Sequence, residues 1–410
     1  MPKEVTAGER RVALVPETVE KLAGDGVEVV IESGAGHDYH PDAAYREAGA
    51  AVVDGGDELY RDADVVLKVQ RPTAEEVDRL PHGAILVSFL DPGSERDLVE
   101  RLAQRGVTAL SIELMPRTGR AQSMDALSAM GSIAGYQSVL LAAEALGRYV
   151  PMMTTAAGTT KAAKVMVLGI GVAGLQAIAT ARRLGAEVEA FDIRPEVKDQ
   201  VRSLGATFIE AEPDEPQPER EQEVTERKGA GRVVDGLKAL LGVPPEFGRR
   251  REEGESREEP GDEETEDQAQ DEEKLRRDQE LVAERIAEMD VVLTAAQTPG
   301  ADPPKLVTEE MVERMKPGAV IVDLAAEDGG NCELTEPGEV VEHHGVQIHG
   351  PVNLPSALPI HASHFYSRNM ASLLSHLVED GELRVDLEDE ITGAICVTHD
   401  GVVRDREDGQ

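Results

Sequence analysis

Three glycines at a fixed spacing are the residues of this chain whose chemistry is clearest. Gly169, Gly171 and Gly174 form the pattern G-x-G-x-x-G between a short apolar run and a helical pattern that begins at Val172. In such a turn the first glycine permits a sharp bend, the second lets the backbone approach a pyrophosphate, and the third lets the helix pack closely on the strand. The helix start directs free N–H groups and a positive dipole end at the phosphates. The segment is therefore predicted to bind a dinucleotide.

An acidic residue follows at the end of the next predicted strand. Asp192 comes 18 positions after the last glycine (192 − 174) and is followed by Ile193 and Arg194. An acid at this place accepts both ribose hydroxyls of the adenosine half of NAD and repels the additional phosphate of NADP. Arg194 could hold that phosphate, so NADP stays an alternative. The pattern favours NAD(H) as the cofactor.

A second group of polar residues lies in the segment MPRTGRAQSMDALSAMGSIAGY, residues 115–136. Its hydrogen-bonding side chains are spaced along a loop at the head of a predicted helix: Arg117, Arg120, Gln122, Asp125 and Ser128. Such a cluster could orient a polar ligand. The residues alone favour the simpler alternative, a helix start capped by Ser123 or Asp125.

The elements that must position these groups alternate between strands and helices. The pattern predicts an α/β protein with two Rossmann-like doubly wound parallel-sheet domains joined by long helices. The joining helices are predicted over Ser123–Leu146 and Ser363–Val378. The strands predicted before the glycine turn are Val12–Val15, Val27–Glu32, Val65–Val69, Ile85–Phe89 and Val107–Glu113.

The domain boundaries follow from this order. Residues 1–126 and 355–410 are expected to form an N-terminal Rossmann-like domain completed by the C-terminal helix, and residues 127–354 the NAD-binding domain. Residues 212–274 interrupt the second domain with an acidic, Pro- and Gly-interrupted stretch that has few apolar residues. This composition predicts a disordered insertion.

Composition excludes several classes of partner. The 410 residues carry a net charge of −38, which argues against nucleic acid and anionic lipid as partners. Only 11 of the 42 basic residues are lysine, and an acidic, lysine-poor surface suits a salt-adapted (halophilic) cytoplasm. No apolar run is expected to reach the roughly 20 residues of a membrane helix. No metal site is predicted. Cys332 and Cys396 are the only cysteines, which indicates that the chain has no disulfide framework, and Cys332 is expected to be a buried structural thiol.

Four motifs carry a resemblance to a known family. They are RAQSMDALS, the IAGY that follows, the GIGVAG turn with FDIRPEVKDQVRSLGA, and IVDLAAEDGGNCELTEPGE. Together they resemble the NAD-binding component (domain I, alpha subunit) of proton-translocating NAD(P) transhydrogenases, which are related to alanine dehydrogenase. The resemblance extends from Glu9 to Val378 and leaves out the insertion and the tail.

The resemblance implies roles for individual residues. In this family the loop matching Arg117, Gln122, Asp125 and Ser128 holds the nicotinamide end of NAD(H). The residue matching Gln122 reaches toward NADP(H) bound on a separate subunit. Hydride then passes directly between the nicotinamide rings, so that alignment matters and no general base is needed. Thr294 and Ala295 would end a strand where such folds bind the cofactor.

The resemblance also implies an assembly. The expected partners are NADP-binding and membrane-spanning transhydrogenase subunits, with the chain itself a homodimer. Its location would be cytoplasmic and peripheral to the cell membrane through those partners.

Two alternatives remain. An alanine dehydrogenase-like amino acid oxidoreductase is suggested by Arg11 and Lys68, which match residues that bind pyruvate in that relative. Against it, residues 88–91 lack the expected histidine, and Glu327 replaces an expected aspartate. Arg11 and Lys68 are therefore interpreted as inherited scaffold. A non-catalytic NAD-binding module is the other alternative.

Overall fold

A computed structural model describes residues 1–36, 39–210, 263–297, 302–379 and 381–404, with only the backbone described over 263–272. Its contacts divide the chain into two compact units. The first comprises Met1–Ile133 and Asn353–Gln410, and the second comprises Ala134–Val352. Most of the predicted insertion and the tail from residue 405 lie outside the described residues.

Helices and short strands alternate in the first unit up to the long helix α6. In chain order they are α1 (Pro16–Gly24), β1 (Val30–Glu32), α2 (Asp42–Glu47), β2 (Ala51–Val53), α3 (Asp57–Tyr60), β3 (Val65–Leu67), α4 (Ala74–Arg79), β4 (Ile85–Ser88), α5 (Arg96–Arg105), β5 (Thr108–Ser111) and α6 (Ala126–Ala145).

The second unit contains the glycine turn and the largest sheet. Its elements after α6 are β6 (Met153–Thr155), β7 (Gly158–Thr160), β8 (Lys164–Leu168), α7 (Val172–Arg183), β9 (Glu187–Phe191), α8 (Lys198–Ser203), β10 (Thr207–Phe208), α9 (Glu263–Ile286), β11 (Val291–Thr294), α10 (Glu309–Glu313), β12 (Val320–Asp323), β13 (Val340–His343) and β14 (Val346–His349).

The chain then returns to the first unit. The elements there are α11 (Pro359–Leu377), β15 (Val378–Glu379), β16 (Glu382–Leu383), α12 (Glu390–Ile395), β17 (Cys396–His399) and β18 (Val402–Val403).

The sheet of the second unit has the strand order β10-β9-β8-β11-β12-β14-β13. All pairs are parallel except β13 with β14. The strand order reverses direction between β8 and β11, and such a switch point is where open α/β sheets bind ligands, at the carboxyl ends of the strands. A ligand site at this switch point would lie beside the glycine turn, and dinucleotide binding there stays a prediction.

The first unit has a five-stranded sheet of order β18-β17-β5-β4-β3 and a separate parallel pair, β1 and β2. Strands β3, β4 and β5 are parallel, whereas β17 is antiparallel to β5. The fold is thus mixed α/β with parallel-strand sheets, as expected. The C-terminal strands complete the sheet at the β5 side, which the sequence pattern did not predict.

The predicted strand Val12–Val15 is wrong. This segment is buried but pairs with no strand. Its N–H groups at Val12 and Val15 donate instead to the hydroxyls of Ser363 and Ser367 on α11, both at 3.0 Å. Side chains from a distant helix thus supply the hydrogen bonds that a strand neighbour would give, and a local pattern cannot show this.

Helix α6 corrects two expectations. It begins at Ala126 rather than Ser123, after a short 3₁₀ turn over Gln122–Met124. At 20 residues with a mean hydropathy of 1.3 it is also long and apolar enough to cross a membrane by those criteria alone, although no such run was expected. The apolar residues serve the protein interior: Met130 and Ile133 belong to the core of the first unit, and Val139 belongs to that of the second.

The same helix accounts for the difference in domain boundary. The sequence placed the first boundary after residue 126, whereas the contacts place it after Ile133. The first two turns of α6 pack with the first unit through Ala126, Met130 and Ile133. The other boundary falls at Asn353 instead of 355.

The end of the predicted insertion differs from a disordered segment. Residues 263–274 form the first half of α9. Further along this helix, Leu275, Val282 and Ile286 recur at helical spacing and pack in the core of the second unit. An ion pair between Glu273 and Arg277 spans one turn of the exposed side. Apolar residues anchor the C-terminal half of α9 in the core. The helix therefore extends back into the acidic sequence of the predicted insertion.

Candidate nucleotide site

The glycine turn between β8 and α7 has the geometry that its spacing predicts. Gly169 has a φ of +89°, and a Cβ there would lie 2.5 Å from the backbone nitrogen of Ala296. A Cβ on Gly174 would overlap the carbonyl oxygen of Gly169. Both positions therefore require glycine, the first for backbone conformation and the second for the close approach of helix to strand.

Gly171 differs from the other two glycines. It has a φ of −79°, and a Cβ added to it would meet no atom within 4 Å. Nothing in the described protein requires a glycine at this position. An open surface directly before the helix N-terminus at Val172 is where a phosphate group can approach the backbone.

Asp192 lies beneath this turn at the end of β9. Its side chain is 5 % exposed and accepts hydrogen bonds from the N–H of Ile170 at 2.6 Å and the N–H of Arg194 at 2.9 Å. The guanidinium of Arg194 binds both carboxylate oxygens, each at 2.9 Å. Burial acts to raise the pKa of Asp192, but the hydrogen bonds from Arg194 and Ile170 outweigh it and hold the pKa below its usual value. The carboxylate is therefore ionised and already paired with Arg194.

Two residues around Asp192 bear on its surroundings: Ile193, which the sequence pointed to, and Asp278, which sequence reasoning missed. Ile193 is 74 % exposed, an unusual position for isoleucine, and leaves an apolar surface beside the acid. Asp278 on α9 is half-buried, and its pKa is raised first by burial and then by the negative charge of Asp192. The negative charge of Asp192 therefore acts on a second acid, which lies on α9.

Thr294 and Ala295 lie next to the glycine turn, at the carboxyl end of β11. The N–H of Ala295 donates to Leu168 at the end of β8. Thr294 is fully buried, and its hydroxyl donates to Asp323 at 2.8 Å. Thr294 is thus at the predicted place, but its hydroxyl is engaged within the protein and shapes the site through the backbone.

Asp323 and Asn331 are structural residues of this site that the sequence pattern did not single out. The buried carboxylate of Asp323 accepts five hydrogen bonds: from the hydroxyls of Thr294 and Thr335 and from the N–H groups of Ala325, Asn331 and Cys332.

The side chain of Asn331 binds both the N–H and the carbonyl of Ala296, at 3.0 and 2.9 Å. These bonds fix the loop after β11 against the glycine turn. The available signal was an acid ending the buried run VIVD, the same position that Asp192 occupies on its own strand.

The polar loop of residues 115–128 belongs to the first unit. Asp125 caps α6, since its carboxylate accepts the N–H of Ser128 at 2.8 Å and the hydroxyl of Ser128 at 2.5 Å. The capping alternative is therefore right for Asp125. Arg117 and Gln122 are exposed. The loop thus contains two side chains that hold each other and two that face outward.

The loop is supported from below by α11 and α12. Met115, Ala121 and Met124 are buried in the core of the first unit. Asn369 on α11 donates to the carbonyl of Ser123 at 2.9 Å. Arg120 binds Asp389, the N-cap of α12, at 3.0 Å. This arginine therefore helps to anchor the loop.

Arg11 and Lys68 are both engaged in buried ion pairs. The guanidinium of Arg11 binds both oxygens of Glu9 at 2.9 and 2.6 Å, with side chains 5 % and 0 % exposed. The ammonium of Lys68 lies 2.7 Å from Glu76 and 3.3 Å from Glu4. Internal carboxylates thus occupy both cations, which favours the scaffold interpretation.

Replacing Glu9 by glutamine is expected to lower the free energy of unfolding by about 3 kcal/mol at pH 7, because it leaves a buried arginine without its counter-charge. The Arg11 hydrogen bonds overcome the effect of burial and lower the pKa of Glu9 from 4.5 to about 2. A lowered pKa stabilises the fold above pH 4.5, and this contribution disappears as the pH falls to about 2.

Denaturant unfolding at several pH values measures this effect. The gap in stability between wild type and Glu9→Gln should shrink as the pH falls through that range. A gap that is constant with pH would show that the Glu9 carboxylate does not stabilise the fold through its charge.

Both cysteines are buried, and for Cys332 this was expected. Burial raises the pKa of the Cys332 thiol to about 11, so that it is not a thiolate nucleophile at neutral pH.

The chain is similar to known proteins over nearly its whole length. Residues 1–134 match the model of the "Alanine dehydrogenase/PNT, N-terminal domain", and residues 138–406 match that of the corresponding C-terminal domain. The chain is 43 % identical to an NAD(P) transhydrogenase alpha subunit of Rhodospirillum rubrum, over 98 % of this chain and 96 % of that one.

The chain is also similar to a solved structure and to a more distant relative. The crystal structure of transhydrogenase from Sinorhizobium meliloti is 41 % identical with a TM-score of 0.79, over 98 % of this chain and 99 % of that one. Alanine dehydrogenase of Bacillus subtilis is 29 % identical, over 88 % of this chain and 80 % of that one.

Proposed function

The chain belongs to the family of NAD(P) transhydrogenase alpha subunits, related to alanine dehydrogenase, and from this premise we propose that it binds NAD(H) and exchanges hydride directly with NADP(H) held by a partner subunit. One observation carries the proposal. The turn of Gly169, Gly171 and Gly174 has two glycines that packing requires and one that it does not. A bound pyrophosphate supplies a reason for the middle glycine that the described residues do not.

The adenosine half of NAD(H) binds around the end of β9. The pyrophosphate lies on the backbone at Gly171 and Val172, and Asp192 accepts the ribose hydroxyls. Ile193 supplies exposed apolar surface for the adenine. Arg194 gives up part of its hydrogen bonding to Asp192 when the ribose hydroxyls bind, and the charges of Asp192 and Asp278 disfavour the additional phosphate of NADP. Thr294 and Ala295 form the wall next to the turn.

In this proposal the loop of residues 115–128 holds the nicotinamide half. Arg117 and Gln122 are its exposed groups, and they contact the nicotinamide end and the incoming partner. Asp125 and Ser128 keep the loop and the start of α6 in place through their mutual hydrogen bonds. The step breaks a C4–H bond of one reduced ring with its electron pair and forms the C4–H bond of the other. No proton is exchanged with the protein, so a site without a general base suffices.

An alanine dehydrogenase activity receives no support from the site. That activity requires a basic side chain that binds the carboxylate of the substrate. Arg11 is instead paired with Glu9, and Lys68 with Glu4 and Glu76. A non-catalytic NAD-binding module would not need the exposed Arg117 and Gln122.

The assembly is part of the same proposal. The chain forms a homodimer and joins NADP-binding and membrane-spanning subunits, through which it is cytoplasmic and peripheral to the membrane and takes part in proton translocation. The net charge of −38 supports a halophilic setting.

The stability of the purified chain is expected to rise as salt is added, because ions screen its self-repulsion.

The test is reconstitution with the NADP-binding partner in high salt, following reduction of an NAD analogue by NADPH. We expect turnover only when both proteins are present, and no reduction of NAD when alanine is offered instead. Robust alanine-dependent reduction would assign the chain to the alternative, and NAD binding without transfer in the presence of the partner would leave only a binding module.

A further inference from the structure

A cluster of two histidines and two glutamates lies in the second unit, apart from the nucleotide turn in sequence. His343 ends β13, and His344 is the first residue of the turn to β14. Glu309 and Glu313 stand four residues apart on α10, one turn of helix from each other. Among the described residues, Glu313, His343 and His344 are the only group of three or more whose atoms lie close enough together to bind one metal ion, and Glu309 lies beside His343.

The turn brings two consecutive imidazoles to the same side. Adjacent residues of a strand normally point to opposite faces. Here His344 has a φ of +50° and Gly345 a φ of +78°, which is a two-residue hairpin turn that usually selects Asn-Gly. The rings of His343 and His344 stack with centroids 4.6 Å apart and planes 6° from parallel. Histidine is uncommon in the left-handed conformation that His344 adopts. This conformation places the ring of His344 beside that of His343.

The nitrogen and oxygen atoms converge on one point. The Nε2 atoms of His343 and His344 each lie 3.7 Å from the same oxygen of Glu313, and Glu309 lies 3.5 Å from the Nε2 of His343. Ligands about 2.0 Å from a tetrahedral metal are about 3.3 Å from one another, so these three distances need to shorten by only a few tenths of an ångström. The two nearly parallel imidazole rings must also turn so that both Nε2 lone pairs point at the ion. The Nε2 of His343 is also shielded from solvent and has no hydrogen-bond partner.

We propose that this cluster binds a divalent cation of the zinc class. His343 and His344 ligate through Nε2 and Glu313 through its carboxylate, with Glu309 or water as the fourth ligand. Two imidazoles select zinc over magnesium or calcium, which prefer all-oxygen sites. The ion connects helix α10 to the β13–β14 hairpin and so secures the edge strand of the nucleotide-binding sheet. This site is independent of hydride transfer, and the sequence pattern had predicted no metal.

Zinc binding to the EDTA-treated full chain, in competition with a chromophoric chelator, tests the proposal. We expect one Zn²⁺ per chain and a rise in thermal stability on binding. His344→Asn and Glu313→Gln should each weaken binding at least about 10-fold and remove most of that rise. Asparagine is favoured in this turn, so His344→Asn keeps the fold.

Glu310→Gln is the matched control, because Glu310 is exposed on the same helix but lies outside the cluster. It should bind zinc like the wild type. Cobalt substitution adds a second readout, with the strong visible absorption of a tetrahedral site expected. Equal zinc affinity in the wild type and His344→Asn, or no binding, would overturn the proposal.

Discussion

Substituting Gln122 by asparagine is expected to slow hydride transfer by about 100-fold in the reconstituted complex and to leave NAD(H) affinity nearly unchanged. The amide would sit one methylene further back, and a displacement of about 1 Å in a reaction that depends on alignment costs about this factor. The loop backbone should stay in place, because Asn369 and the cap at Asp125 anchor it. Stopped-flow transfer rates and fluorescence titration of NADH measure the two quantities.

Gln104→Asn is the control for this prediction. Gln104 is exposed on α5, in the same unit but outside the loop, and the same change there should affect neither rate nor affinity. Transfer at the wild-type rate in Gln122→Asn would remove Gln122 from the mechanism. A parallel loss of NADH affinity would make it a binding residue instead.

Gly171→Ala is expected to weaken NAD(H) binding by about 10- to 100-fold without destabilising the protein. Its φ of −79° suits alanine, and the added Cβ meets no protein atom within 4 Å, so the fold should be at least as stable as the wild type. The Cβ would instead displace the pyrophosphate from the backbone, and each hydrogen bond to a charged group is worth about 1.5–3 kcal/mol. Calorimetric titration with NADH and thermal unfolding separate the two effects.

Two further glycines calibrate that result. Gly147 is exposed, also without a clash for a Cβ, and Gly147→Ala should bind NADH normally. Gly174→Ala should lower thermal stability, because its Cβ would press against the carbonyl of Gly169. If Gly171→Ala bound NADH as tightly as the wild type, the pyrophosphate would have to lie elsewhere.

The nucleotide turn could be predicted because its determinants are local. Glycine spacing, an apolar strand and an acid at the next strand end are all written within about thirty residues, and the structure places Gly169, Gly174 and Asp192 accordingly. The same holds for the parallel order of the central strands, since each βαβ unit closes on its neighbour.

Features that depend on distant residues could not be predicted. Residues 12–15 look like a strand, but their N–H groups bind serines some 350 positions later. The electrostatic effect of Asp192 on Asp278 depends on where α9 packs, and Asp323 organises its loop through five donors that no spacing rule identifies. The histidine cluster likewise arises from a left-handed turn at His344, which sequence patterns assign to asparagine or glycine.

Direct passage of hydride from one nicotinamide ring to another, brought by a partner subunit, can be followed with an isotope. NADPH carrying deuterium at C4 on the transferred face is mixed with an NAD analogue, this chain and the NADP-binding subunit. We expect deuterium to appear at C4 of the reduced analogue and heavy water to contribute none. Loss of the label to solvent, or reduction in the absence of the partner, would show that hydride does not pass directly between the two rings.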